Sequence, residues 1–161
     1  MDEKLTEGNS VAGTSAPQGE IEMIDENFRF DAGYALIWDG RRIDLHNNFL
    51  FDGLDYSVKD GAVSLSWRRS QGQWVDEIDP PRFKIVFTNV GLLRMEASLG
   101  AEPSDPTTLE FAGYLNAADE GVMNGFLERN EVSESYHFIF AFEGGLAIKI
   151  GASAGYVDTG P

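Results

Sequence analysis

The stretch YHFIFAF, Tyr136–Phe142, places an aromatic side chain at every second position. Alternation with a period of two residues is typical of a β-strand. Because the intervening Ile139 and Ala141 are also apolar, we expect both faces of this strand to be buried, which places it in the middle of a sheet. The sequence EGG at 143–145 then predicts a tight turn into a second alternating run, residues 146–150.

The same period recurs upstream. The run around Trp67 alternates apolar and polar residues, and so does the run around Ile85. Asp39-Gly40 between two further runs predicts a hairpin turn, because both central positions of a type I′ turn need positive φ. No long crossover helix is indicated, which disfavours a parallel βαβ fold. We therefore predict an all-β domain: an antiparallel two-sheet sandwich of about nine strands, with a partly open β-barrel as the alternative.

Two other parts of the chain have a different composition. Residues 116–134 are rich in glycine and acidic residues, and permit either one short helix near 122–129 or a long loop. Residues 1–20 are small, polar and acidic, which predicts a flexible acidic N-terminal tail, because such a segment buries too little apolar surface to offset its ordering entropy. We expect a single β domain over 21–155 and a short C-terminal tail over 156–161.

The composition excludes several classes of function. The chain has 161 residues, 27 acidic against 12 basic side chains, a net charge of −15 and no cysteine. Nucleic acids and anionic membranes are unsuitable partners, because phosphate binding depends on lysine and arginine. Disulfides and thiolate metal sites are excluded. The first ten residues lack the basic start and apolar stretch of a secretory signal, so we expect a cytoplasmic protein.

Catalytic and cofactor motifs are absent from the sequence. There is no glycine-rich nucleotide fingerprint, no Walker loop and no nucleophile elbow, so we expect no cofactor. The two histidines, His46 and His137, are too few and too far apart for a zinc motif. His46, which lies among Asp44, Asn47 and Asn48, is the better candidate for a polar pocket.

Acidic residues in loops are the next candidates. Calcium needs six to eight oxygen ligands, which clustered loop carboxylates can supply. The spacing fits no EF-hand, so we expect these acids to be ordinary solvated residues and predict no metal site. If a metal were bound, its ligands would come from this set: Asp52, Asp55, Asp76, Glu77 and Asp79.

Four basic residues are placed more suggestively. Arg68 and Arg69 end one predicted strand, while Arg82 and Lys84 begin the next, with Trp74 in the connecting loop. If the two strands pair, these charges meet on one edge, and arginine and tryptophan are favoured anchors of protein interfaces. The alternative is that they form local ion pairs with the acids of the same loop. Together with His46, these five residues are the predicted binding residues.

These observations leave three main functional hypotheses and a fourth, a structural subunit of a larger assembly in which the strand Tyr136–Phe142 lies at a subunit interface. The first is a small, acidic, non-enzymatic protein-interaction module, of the inhibitor or immunity type, that binds a basic partner by charge complementarity. The second is a ligand-binding sandwich for a sugar or calcium, in which Trp38, Trp67 or Trp74 stacks on the ligand. The third is a small enzyme without a recognisable motif. The sequence leaves the oligomeric state open.

Overall fold

The structure is a computed structural model that describes residues 24–97 and 105–160. These residues form twelve β-strands and no helix, so the all-β prediction is confirmed with more strands than expected. No helix in this part of the chain is long and apolar enough to cross a membrane. The strands are β1 (Asp25–Glu26), β2 (Phe28–Asp31), β3 (Ala35–Trp38), β4 (Arg41–Asp44), β5 (Phe49–Ser57), β6 (Ala62–Arg69), β7 (Arg82–Thr88), β8 (Leu92–Ala97), β9 (Leu109–Asn116), β10 (Tyr136–Phe142), β11 (Leu146–Gly151) and β12 (Ala154–Asp158).

The strands form three sheets instead of the two expected. The orders are β1-β12-β7-β6-β5, β8-β11-β10-β9 and β2-β3-β4, and none of these described sheets closes on itself, which is contrary to the barrel alternative. The third sheet is a meander built around the predicted turn, where Asp39 and Gly40 have φ of 50° and 70°. This separate three-stranded sheet accounts for much of the difference from the expected architecture.

All three sheets contribute to one aromatic core. Phe138 on β10 lies between the sheets, with its ring centroid 4.8 Å from that of Phe87 and 5.9 Å from that of Phe28. Phe142 at the end of β10 contacts Phe51 with centroids 4.4 Å apart. As predicted, β10 is a central strand, between β9 and β11, and every residue in it except His137 is buried.

Two chain segments are now defined. Of the two alternatives for residues 122–129, the loop is observed and the short helix is not; the stretch contains turns and one bridge between Leu127 and Tyr114. Gly125 has a φ of 71°, which interrupts a helix that is already too short to be stable alone. The predicted C-terminal tail begins inside β12, where buried Val157 lies opposite Ile85. The predicted tail over 1–20 lies outside the described residues.

Candidate functional site

The register of β6 and β7 brings part of the predicted basic cluster together. Arg68 lies directly opposite Arg82, and Lys84 lies opposite Ser66, so these three cations share the outer face of the five-stranded sheet. Arg68 Nε is 3.5 Å from Asp52 Oδ1, and both side chains are more than two-fifths exposed. An exposed pair of this kind contributes little to stability. This face is therefore a solvated surface where Arg82 and Lys84 stay accessible.

Arg69 has a different role, because it holds the loop of residues 70–81 in place. Its Nη1 donates to the carbonyl oxygens of Glu77, at 2.9 Å, and Asp79, at 2.6 Å. Arg41 on β4 donates from Nη2 to Asp79 Oδ1 at 3.0 Å and to the carbonyl of Ile78 at 2.9 Å. The ion pairing expected within this loop thus occurs at Asp79. Its partner is Arg41 on β4, however, and not one of the four basic residues that the sequence analysis singled out.

Asp79 is expected to stabilise this loop measurably. It is 7% exposed, so removing its carboxylate leaves Arg41 without an anionic partner in a partly buried position. We expect Asp79→Ala to lower the free energy of unfolding by about 1 to 3 kcal/mol. Urea unfolding measures this, and the exposed neighbour Glu77→Ala is the matched control. Equal unfolding midpoints for the two variants would disprove the structural role of the Asp79 carboxylate.

Trp74 and His46 are fixed by backbone contacts. Trp74 is 71% exposed, its ring lies close over Gly72, and its Nε1 donates to the carbonyl of Asn47 at 3.2 Å. Ile78 in the same loop is also 71% exposed. His46 is half-buried, with Nδ1 hydrogen-bonded to the carbonyl of Leu109. His46 therefore links the start of β5 to β9, whereas Trp74 and Ile78 form an exposed apolar surface on the loop.

The predicted metal candidates do not converge. Asp52 faces Arg68, and Asp55 lies on the outer face of the sheet opposite Ser64. In the loop, Asp76 Oδ1 accepts from the Ile78 backbone N–H, while Asp79 is paired with Arg41. Across residues 24–97 and 105–160, no group of three or more potential metal ligands is assembled. Asp52, Asp76 and Asp79 instead form local ion pairs or hydrogen bonds.

A second surface is the segment of residues 117–135, here called the acidic segment; the sequence indicated its acidic composition, but its residues were not among the predicted binding residues. It contains five carboxylates and one arginine. None of the five forms a salt bridge within the described part of the chain. All but one are exposed to solvent. The carboxylates are Asp119, Glu120, Glu128, Glu131 and Glu134.

Lys149 fixes the acidic segment to the four-stranded sheet. Its side chain is fully buried, and Nζ donates to the carbonyl oxygens of Asp119 at 2.6 Å, Glu120 at 3.3 Å and Val122 at 3.1 Å. Arg94 adds a hydrogen bond to the Glu120 carbonyl at 3.1 Å. Burial lowers the pKa of Lys149, and nearby Arg94 lowers it further, while Asp119 and Glu120 oppose the shift. A buried ammonium thus adds three hydrogen bonds to the backbone of this turn.

Phe126 fixes the middle of the same segment. Its ring lies 5.6 Å from that of Phe111, and its Cβ approaches Gly113 so closely that a Cβ at Gly113 would be 2.7 Å away. The backbones of Leu127 and Tyr114 exchange hydrogen bonds of 2.8 and 3.2 Å. Phe126 nevertheless keeps about a third of its surface exposed. The acidic segment is therefore fixed at this point to β9, and it carries a partly exposed apolar ring.

A buried polar cluster connects the acidic segment to β1. Arg129 Nε is 3.4 Å from Glu26 Oε1, and its guanidinium lies 4.4 Å from the ring centre of Tyr136. Glu26 Oε2 and the Tyr136 hydroxyl are both buried without a hydrogen bond of normal geometry among the described residues. Burial raises the pKa of Glu26, while the Tyr136 hydroxyl and Arg129 partly oppose this shift. The charged carboxylate is therefore held in an unfavourable environment.

The Glu26 carboxyl predicts a specific pH dependence. Because its folded-state pKa lies above the ordinary value of 4.5, the folded protein binds this proton more tightly than the unfolded chain. Its contribution to stability therefore rises as the pH falls through the raised pKa toward 4.5. We expect Glu26→Gln to be at least as stable as the parent at pH 7, and to lose that advantage as the pH approaches 4.5. Denaturant unfolding between pH 7 and pH 4.5 measures this difference in the free energy of unfolding, and the exposed Glu110→Gln is the control. If the free energies of the parent and of Glu26→Gln changed in parallel with pH, the raised pKa of Glu26 would be contradicted.

One groove, with a volume of about 580 Å³, is lined in part by His137, Glu120 and Glu134. Burial lowers the pKa of His137, and the charge of Lys149 lowers it further. Its Nδ1 is buried and has no hydrogen-bond partner among the described residues. The groove thus brings His137 and two glutamates to one surface, and the enzyme hypothesis stays a prediction.

Comparison with known proteins adds no relative: no family model, no curated protein and no solved structure matches this chain.

Proposed function

We propose that this chain is a non-enzymatic protein-interaction module, of the inhibitor or immunity type, that binds a basic partner through the acidic segment. The observation that carries the proposal is the combination found in residues 117–135: five carboxylates without salt-bridge partners among the described residues, in the same segment as the partly exposed ring of Phe126. Apolar anchors surrounded by charge are the arrangement that gives protein interfaces both affinity and specificity.

The anchoring of the acidic segment supports this proposal. Lys149 and Arg94 donate four hydrogen bonds to its backbone carbonyls, so its carboxylates are presented on a fixed surface. A preorganised surface loses less conformational entropy on binding than a mobile loop does. The net charge of −15 adds long-range attraction for a basic protein, which accelerates association at low salt.

The proposal includes the architecture that displays this surface. We interpret the five- and four-stranded sheets as the two layers of an antiparallel sandwich, with the three-stranded sheet beside them. Ring contacts between the layers support this interpretation, such as Phe87 with Phe138 at 4.8 Å and Phe51 with Phe142 at 4.4 Å. In this arrangement the acidic segment covers the outer face of the four-stranded layer, to which Lys149 fixes it.

Affinity capture from the native host tests the proposal. Three baits are compared at low and high salt: the parent chain, a variant with four carboxylates of the acidic segment replaced by glutamine, and a control with four exposed acids neutralised elsewhere. The segment variant is Glu120→Gln, Glu128→Gln, Glu131→Gln and Glu134→Gln; the control is Asp25→Asn, Asp39→Asn, Asp55→Asn and Glu77→Gln. Both variants change the net charge equally, so only the position of the charges differs.

The proposal expects one basic protein that the parent and the control retain at low salt and release at high salt. The segment variant should bind it up to about 30-fold more weakly, since four exposed charge contacts of up to about 0.5 kcal/mol each amount to about 2 kcal/mol. Equal retention by both variants would show that bulk charge alone is responsible. Capture that survives high salt unchanged would count against an electrostatic interface.

The exposed indole of Trp74 favours a second candidate function, sugar binding. It is the most exposed tryptophan of the described residues, and it lies flat over Gly72 with its Nε1 held by Asn47. A fixed, exposed aromatic face is suited to stacking on a sugar ring. Tryptophan fluorescence titrated with a broad glycan panel tests this function, with Trp74→Phe as the reporter control. A panel without any Trp74-dependent change would remove the candidate.

A further inference from the structure

The outermost strand of the four-stranded sheet, β8, has an edge that no other described strand covers. Among the described residues it pairs with β11 alone. The opposite edge of the same sheet is covered, because Ala112 and Tyr114 of β9 donate to the carbonyls of Gly33 and Leu127. The edge strand β5 is covered in part, where Phe51 donates to Thr107. An uncovered row of backbone donors and acceptors is a site for pairing with another strand.

The sequence of this strand, LLRMEA over Leu92–Ala97, is complementary to itself. If two copies pair antiparallel about Met95, Arg94 of each lies opposite Glu96 of the other. Directly opposite residues of opposite charge stabilise antiparallel pairs, and like charges destabilise them. We propose that the open edge of β8 is an interface between two copies of this chain, related by a two-fold axis at Met95.

The two faces of β8 fit this register. Arg94 and Glu96 share the outer face, where Arg94 Nη2 already lies 2.6 Å from Glu96 Oε1 within one chain. In the dimer the four charges alternate, so each arginine lies between two carboxylates. Met95 is on the inner face opposite fully buried Ile148, yet it is 49% exposed. The Met95 side chain of the second copy would cover this exposed edge of the core.

Neighbouring registers are unfavourable. Pairing about Arg94 would place two guanidinium groups opposite each other, and pairing about Glu96 would place two carboxylates opposite each other. A shift of one residue in a single strand would put Arg94 opposite a methionine and mix the polar face with the apolar face. Only the register about Met95 matches both charge and face. The result is a closed, isologous dimer with a continuous eight-stranded sheet.

Sedimentation equilibrium of the full chain over a wide concentration range tests this interface. We expect a monomer–dimer equilibrium that Glu96→Arg weakens about 10-fold or more, because both cross-strand pairs become repulsive. The double exchange Arg94→Glu with Glu96→Arg should restore much of the association. Met95→Lys, which places two ammonium groups at the axis, should weaken it independently. Glu110→Arg on the covered edge strand β9 is the matched control and should leave the equilibrium unchanged.

The outcomes are distinguishable. A chain that stays monomeric at every concentration overturns the proposal, as does a dimer that Glu96→Arg and Met95→Lys leave intact. Circular dichroism and thermal unfolding of each variant establish that the monomers remain folded. A folded, monomeric Glu96→Arg variant together with a dimeric exchange variant would support the proposed register.

Discussion

Replacing Lys149 by methionine is expected to lower the free energy of unfolding by about 3 kcal/mol or more, because three backbone carbonyls lose a charged donor and the carbonyl of Val122 keeps no other donor among the described residues. Methionine has a similar length, so the effect comes from the lost ammonium group and not from a large cavity. In a domain of this size the melting temperature should fall by about 6 to 12 °C. Thermal and urea unfolding measure the change.

The Lys149→Met variant should also loosen the acidic segment locally. Hydrogen exchange of amides in residues 117–122 is expected to accelerate more than exchange in β10, since the turn loses its anchor while the core rings remain. Lys84→Met is the matched control, because Lys84 is exposed on β7 and its loss should change stability by less than about 0.5 kcal/mol. Similar stability losses in the two variants would mean that Lys149 does not hold the segment.

Replacing Phe126 by alanine is expected to weaken binding of the captured partner by about 30-fold or more. Aromatic anchors at the centre of an interface typically contribute about 2 kcal/mol or more. Phe126 is the largest exposed apolar side chain of the acidic segment, and its ring is already positioned over Gly113 and Gly33. Titration calorimetry with the partner measures the loss of affinity.

Two controls separate binding from folding in this experiment. Tyr56→Ala removes an exposed aromatic side chain from β5, outside the acidic segment, and should leave the affinity unchanged. Unfolding of Phe126→Ala reports any damage to its contact with Phe111. A Phe126→Ala variant that is folded and binds with parental affinity would exclude the ring as an anchor.

Local patterns predicted the parts of the fold in which residue spacing carries the information. Alternation identified β6 and β10, because Trp67 and Phe138 recur in phase with other apolar residues. The Asp39-Gly40 turn was predicted because its backbone requirement is local. Strand β12 was missed, since Ala154 and Gly155 are small and Val157 alone signals a buried face. The division into three sheets depends on tertiary pairing, which periodicity does not encode.

The candidate site was harder to predict because its contacts are distant in sequence. From the sequence alone, Lys149 on a β-strand is expected to face solvent. It is buried instead, because its ammonium group donates to backbone carbonyls of the acidic segment, which comes before β10 in the chain. Glu26, Arg129 and Tyr136 meet only after three separate parts of the chain fold together. The basic residues near Trp74 were recognisable by type, but Arg69 proved to be a loop support. Residue type indicated charge; the fold determined which charges stay exposed.

Hydrogen exchange of the full chain with and without its captured basic partner tests the central claim most directly. The account predicts that protection on binding concentrates in residues 117–135, with the amides near Phe126 slowed most, and that it disappears when the salt concentration is raised. Protection confined to residues 70–81, around Trp74 and Ile78, would contradict the claim. It would assign binding to this loop, whose surface presents arginine and tryptophan side chains instead of carboxylates.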